Sequence, residues 1–138
     1  VTQVVLGVDP GRSKAGYALV EDSGQVIVAG IEPIDRLQAR VVELLSGRRV
    51  RAIALGRGTN ARSVKTGLDR LGPPVHLVDE RDTSRLARGL YFVDHPPRGW
   101  RRLIPIGLQL PARPIDDYAA ILIARRFLAR GVEPRAPS

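Results

Sequence analysis

Three acidic stations fall at places in the chain where carboxylates could meet. Asp9 closes an apolar run, Asp79-Glu80 closes another, and Asp116-Asp117 opens a long helical pattern. Oxygen-only donor sets of this kind suit Mg²⁺ or Mn²⁺. Paired cations of that type suit phosphodiester hydrolysis, since they activate a water, stabilise the leaving oxygen and neutralise charge in the transition state. Each acid also has a plain structural use. An Asp before Pro10-Gly11 can bond its own turn, Asp79-Glu80 ahead of Thr83 can start a helix, and Asp116 with Asp117 can cap one and complement its dipole. It is the conjunction of all three on one sheet edge that points to chemistry.

Elements of regular structure must position these residues. Val4–Asp9 reads as a buried strand, and Ala15–Glu21 and Gln25–Ile31 as two more, joined through Asp22-Ser23-Gly24. Ile34, Leu37, Val41, Leu44 and Leu45 then fall at helical spacing, with Ser46-Gly47 as the stop. Beyond them strand and helix alternate: strand 50–55, helix 60–71, strand 75–79, helix 83–93. Segment 94–114 holds five of the eleven prolines and reads as one irregular loop, ahead of a last helix over 115–130. The pattern predicts a single α/β domain over 1–130 with a frayed tail over 131–138. Its sheet is mixed and five-stranded, a three-strand meander followed by parallel strands, with helices on its faces and the active edge at the strand carboxyl ends.

At 138 residues the chain is long enough for one real core, and 43% apolar with 26% charged residues is an ordinary globular balance. No cysteine is present, which excludes disulfides, thiolate zinc sites and cysteine nucleophiles. The chain has no methionine, so Val1 is not expected to be the initiating residue. No apolar run approaches a membrane span and no signal segment opens the chain, so a cytoplasmic protein is expected. The formal charge is +8, carried almost wholly by Arg, since Lys14 and Lys65 are the lysines. Arg grips phosphate with a bidentate fork, so nucleic acid is the expected partner.

Several basic and polar residues could serve such a partner. Gly11-Arg12-Ser13-Lys14-Ala15-Gly16 is a tight turn with two cations and a hydroxyl, suited to phosphate but lacking the Walker spacing. Arg57, Thr59, Asn60 and Arg62 follow the fourth strand, at the edge expected for Asp9. Arg81, Arg85 and Arg88 follow Glu80, and the last two share a helix face, which fits either a backbone-tracking groove or solvated surface. Arg98, Trp100, Arg101 and Arg102 set an aromatic among cations, as stacking on an unpaired base requires, although Trp100 could equally anchor the loop. His76 lies inside a strand and reads as structural.

Taken in order, these motifs carry a family resemblance. Val5-Leu6-Gly7-Val8-Asp9-Pro10-Gly11 with Gly16-Tyr17-Ala18-Leu19-Val20 resembles the first motif of the YqgF/RuvX family of RuvC-like, ribonuclease-H-fold nucleases. Asp79-Glu80-Arg81-Asp82-Thr83-Ser84 with Ala87-Arg88 is similar to that family's Asp-Glu-Arg-Leu-Thr/Ser-Thr stretch, and Ile115-Asp116-Asp117-Tyr118-Ala119-Ala120 to its last helix start. The resemblance runs from Val4 to Leu128. It implies a ribonuclease-H-like fold and a nuclease using Mg²⁺ or Mn²⁺, with two ions expected. Asp9, Glu80 and Asp116 become the catalytic, metal-holding acids, with Asp117 as a further ligand. The family is described as Holliday junction resolvases or as nucleases processing precursor 16S ribosomal RNA. Asp9-Pro10-Gly11 is closer to RuvC than to the Asp-Phe/Tyr-Gly of YqgF proteins, Gly56-Arg57-Gly58-Thr59 replaces a Gly-x-Pro stretch, and Asp82 replaces Leu.

The expectation is therefore a metal-dependent nuclease acting on DNA or RNA. Two other classes compete with it. A nucleic-acid-binding ribosome-assembly factor without cleavage would keep the basic residues and use the acids as caps. An actin-like ATPase also opens with an Asp-x-Gly hairpin, but needs two lobes that this length does not supply. Symmetric cutting of a four-way junction would call for a homodimer.

Overall fold

Residues 3–58, 60–79, 83–97, 99, 103 and 115–131 are described in the computed structural model of the chain. The apolar run after the first residues forms β1 (Val4–Pro10), and Gly11 and Lys14 close the turn into β2 (Lys14–Glu21), the Gly11 N–H donating to the Lys14 carbonyl at 3.0 Å. A second reversal leads to β3 (Val26–Pro33), with Gly24 at φ 93°, a left-handed conformation that a side chain would disfavour. The expected first helix begins instead as a 3-10 turn over Ile34–Arg36 and becomes α1 at Leu37–Leu45. The Ile34 N–H donates to the Ser13 carbonyl at 2.9 Å, so the entry to this helix is pinned to the β1–β2 turn.

The alternating half follows as expected, with β4 (Val50–Gly56), α2 (Ala61–Leu68), β5 (Val75–Val78), α3 (Thr83–Asp94) and α4 (Asp116–Gly131). The second expected helix also splits, its last three residues, Asp69–Leu71, forming a 3-10 turn before Gly72 at φ 120°. Most of the Pro-rich segment, Trp100, Arg101 and Arg102 included, lies outside the described residues, as does the tail beyond 131. Among the described residues no helix is long and apolar enough to cross a membrane.

The five strands form one sheet in the order β3-β2-β1-β4-β5. β1 pairs antiparallel with β2 and parallel with β4, and β5 runs parallel beside β4. Successive strand side chains point to opposite faces, and the core divides accordingly. Val5, Ala18, Val20, Ala54 and Val78 pack with α3 and α4, whereas Val4, Leu6, Val8, Ala15, Leu19, Ile53 and Leu55 pack with Leu37, Val41 and Leu44 of α1 and Leu68 of α2. β1, at the centre, is buried on both faces, which is why its run is apolar rather than alternating. The result is the expected mixed sheet with helices on both sides.

Candidate active site

Asp9 takes its place from the pleat of β1. Val5 belongs to the face covered by α3 and α4, so Gly7 and Asp9, two and four residues on, lie on that face as well. The cross-strand partner of Asp9 is Gly16 of β2. A Cβ at Gly16 would overlap the Asp116 carbonyl oxygen and stand 2.8 Å from the Asp117 nitrogen. One at Gly7 would overlap the Ala120 carbonyl oxygen and stand 2.9 Å from the Ala124 Cβ. Two bare glycines thus let the first turns of α4 rest directly on the β1 and β2 backbones. Paired strand residues sit about 4.5–5.5 Å apart between Cα atoms, so Asp116 comes to rest over the immediate neighbour of Asp9.

The start of α4 is braced from the side. Tyr118 donates its hydroxyl proton to Asp94 Oδ2 at 2.8 Å, and its ring meets Tyr91 edge-on, with centroids 5.8 Å apart. Asp117 accepts the Tyr118 backbone N–H at 3.0 Å, so it serves the helix terminus as a capping acid does. Asp116 is used differently. Its Oδ2 is buried and accepts no hydrogen bond among the described residues, while Lys14 Nζ stands 3.9 Å away. Burial pushes the Asp116 carboxyl above the ordinary carboxylate range; Lys14 pulls it back, and Asp117 pushes it further up. A carboxylate oxygen with no hydrogen-bond donor among the described residues has the chemistry of a donor to a hard cation such as Mg²⁺ or Mn²⁺, and the helix that carries it starts beside the strand that carries Asp9.

Hydrogen bonds trace the rest of this sheet edge. Asn60 Nδ2 donates to the Gly11 carbonyl at 3.3 Å, joining the start of α2 to the hairpin that presents exposed Arg12 and Ser13. The Arg57 N–H donates to the Val78 carbonyl at 3.1 Å, which carries the edge on to Asp79. Arg126 Nη1 donates to the Asp79 carbonyl at 2.7 Å, tying α4 to the end of β5. Arg57 and Arg62 are exposed along this edge with Arg12.

Other expected site residues lie away from this edge or outside the described residues. Glu80, Arg81 and Thr59 lie outside the described residues, and among the described residues no three His, Asp or Glu side chains gather closely enough to hold an ion. Arg85 and Arg88 line an open groove of about 600 Å³ between α3 and α4, with Leu86, Leu90, Val93 and Leu122, a lining more apolar than a phosphate track. His76 stacks obliquely on Phe127 with centroids 5.0 Å apart, a packing role as its sequence position suggested. Sequence reading missed the work of Gly7 and Gly16 as the seat of α4, and the approach of Lys14 to Asp116. The signal for the glycines was present, two of them flanking Asp9 in sequence and in pairing, but it acquires meaning only through the register.

No family model and no curated protein sequence matches this chain. Solved structures do. Thermus thermophilus RuvC in complex with Holliday junction substrate aligns with a TM-score of 0.57 over 94% of this chain and 97% of that one, at 17% identity. A structure of Thermus thermophilus RuvC aligns with a TM-score of 0.51 over 93% of this chain and 96% of that one, at 21% identity. A ROK family transcriptional regulator, a homologue of the Escherichia coli MLC protein, aligns with a TM-score of 0.43 at 18% identity, over 64% of this chain; the chain spans only 30% of that regulator. With its strand order, central acid and covering last helix, the protein has an α/β fold of the ribonuclease-H-like class. Within that class its architecture is RuvC-like along nearly the whole chain.

Proposed function

We propose that the protein is a divalent-metal-dependent nuclease that hydrolyses phosphodiester bonds in nucleic acid. The observation that carries this reading is the seating of Asp116 on Gly16, the cross-strand partner of Asp9, with a buried carboxylate oxygen that accepts no hydrogen bond among the described residues. Asp9 and Asp116 would hold the cation, with Glu80 as the third acid and Asp117 beside them. When bound, Mg²⁺ or Mn²⁺ supplies activation of water and neutralisation of charge at phosphorus. The chain's own residues orient and exclude. The α4 seat holds the helix that carries Asp116 against the strands that carry Asp9 and Gly16, the Tyr118 to Asp94 bond keeps the helix start in place, and Arg12, Ser13, Arg57 and Arg62 flank the edge where a phosphate backbone would lie.

The order of the three motifs supports the YqgF/RuvX type within the RuvC-like class, and leaves two substrates: a four-way DNA junction, or a precursor of 16S ribosomal RNA. The deciding experiment incubates the protein with labelled single-stranded DNA, single-stranded RNA and a four-way junction, in Mn²⁺, Mg²⁺ or EDTA, beside Asp9→Asn. Metal-dependent products that vanish in the variant are the expected outcome, and the preferred substrate assigns the role. Symmetric junction cutting would also require two active sites, hence a homodimer by sedimentation. Salt-sensitive binding without a cut in any lane would overturn the nuclease in favour of a binding module.

A further inference from the structure

Lys14 stands out among the groups around the acids, because a fixed positive charge beside a cation site works against the cation. Its backbone is held on two sides: the Gly11 N–H bonds its carbonyl, and it pairs across to Pro33 of β3. By the alternation of β2 it shares the face of Gly16 and Ala18, under α4. From this fixed root its ammonium reaches to 3.9 Å from Asp116 Oδ2, an oxygen with no hydrogen-bond donor among the described residues. The two side chains are 44% and 32% exposed, and ion pairs of that exposure add little to stability. A structural brace would be better buried and shorter, so the contact is better explained by what it does to the carboxylate.

We propose that Lys14 is the resident counter-cation of the site, which occupies the Asp116 carboxylate in the metal-free chain and competes with the divalent ion for it. The inference rests on the nuclease reading above, and assigns Lys14 as a positioning residue that sets how tightly the ion is held. Nothing else need move, because the lysine stem can swing away while the strand stays in register. A single positive charge about 6 Å from a divalent ion weakens its binding about tenfold even at a water-like dielectric.

The test needs no substrate. Mn²⁺ is titrated into the full chain while thermal unfolding is followed, for wild type, Lys14→Gln, Lys14→Arg and Asp9→Asn. The expected result is a half-saturating Mn²⁺ concentration about tenfold lower for Lys14→Gln, an unchanged one for Lys14→Arg, and no Mn²⁺ response for Asp9→Asn. Should the Gln variant fail to fold, Lys14→Met, which keeps the apolar stem, is read in the same way. Wild-type half-saturation in the neutral variant, alongside a clear wild-type response, overturns the role of Lys14 and leaves the metal site standing. A folded wild type that never responds to Mn²⁺ or Mg²⁺ overturns the metal reading itself, and the inference with it.

Discussion

Replacing Gly16 by Ala tests the seat of α4 and the site together. The new methyl group would overlap the Asp116 carbonyl oxygen and lie 2.8 Å from the Asp117 nitrogen, both backbone atoms of a helix that cannot rotate out of the way as a side chain can. Overpacking of this kind costs about 1–3 kcal/mol, and contact with backbone on both sides puts Gly16→Ala toward the upper end. For a chain of 138 residues each kcal/mol lowers the melting temperature by roughly 3–5 °C, so a drop of about 5–15 °C is expected. Relieving the overlap requires α4 to retreat by about 1 Å, and a displacement of that size at a reacting centre costs about 10²-fold in rate. Thermal unfolding in EDTA and Mn²⁺-dependent cleavage measure the two effects on one preparation. Gly7→Ala is the companion variant: it strikes Ala120 and Ala124 further along the helix, and should lose similar stability with a smaller loss of cleavage. A Gly16→Ala protein that melts with the wild type would refute the close approach. One that melts lower yet cleaves normally would refute the link between the helix seat and the site.

Other perturbations have equally definite outcomes. Burial raises the Asp116 carboxyl in the folded chain, so its favourable contribution is complete below the ordinary value of 3.8 and is lost as pH rises through the higher folded value. In EDTA, Asp116→Asn should therefore match wild type at low pH and melt higher at neutral pH, an order that saturating Mn²⁺ reverses; a pH series of melting curves checks it. Gly89→Ala, in the middle of α3 with nothing within 4 Å of its new methyl among the described residues, should gain about 0.5–1 kcal/mol in chemical unfolding and leave cleavage unchanged. Asn60→Ala removes the 3.3 Å bond to the Gly11 carbonyl, and should cost about 0.5–1 kcal/mol while raising KM for nucleic acid more than it lowers kcat, in steady-state cleavage assays.

Element types were legible in the sequence because period and punctuation report local physics. The both-face burial of β1 shows as an unbroken apolar run, Asp22-Ser23-Gly24 announces the β2–β3 reversal, and the stripe of Val41 and Leu44 marks the buried side of α1. Boundaries were less legible. Ile34–Arg36 and Asp69–Leu71 have helical spacing yet tighten into 3-10 turns, the first with the Ile34 N–H claimed by the Ser13 carbonyl of the β1–β2 turn. Arg85 and Arg88 share a face by spacing, but spacing does not reveal that the neighbours on that face are Leu86, Leu90 and Leu122.

Acids that close β1 and open α4, alternation into a mixed sheet with covered faces, and a basic charge carried by Arg can all be read along the chain. Those are properties of neighbours along the chain, set by side-chain period and composition. The pairing of Asp9 with Gly16, the seating of α4 on Gly16 and Gly7 without a side chain between, and the reach of Lys14 to Asp116 emerge from the folded chain alone. These depend on strand register and on how closely a helix can approach a sheet. Both are settled by contacts between residues as far apart as Gly16 and Asp116, for which a linear pattern carries no distance.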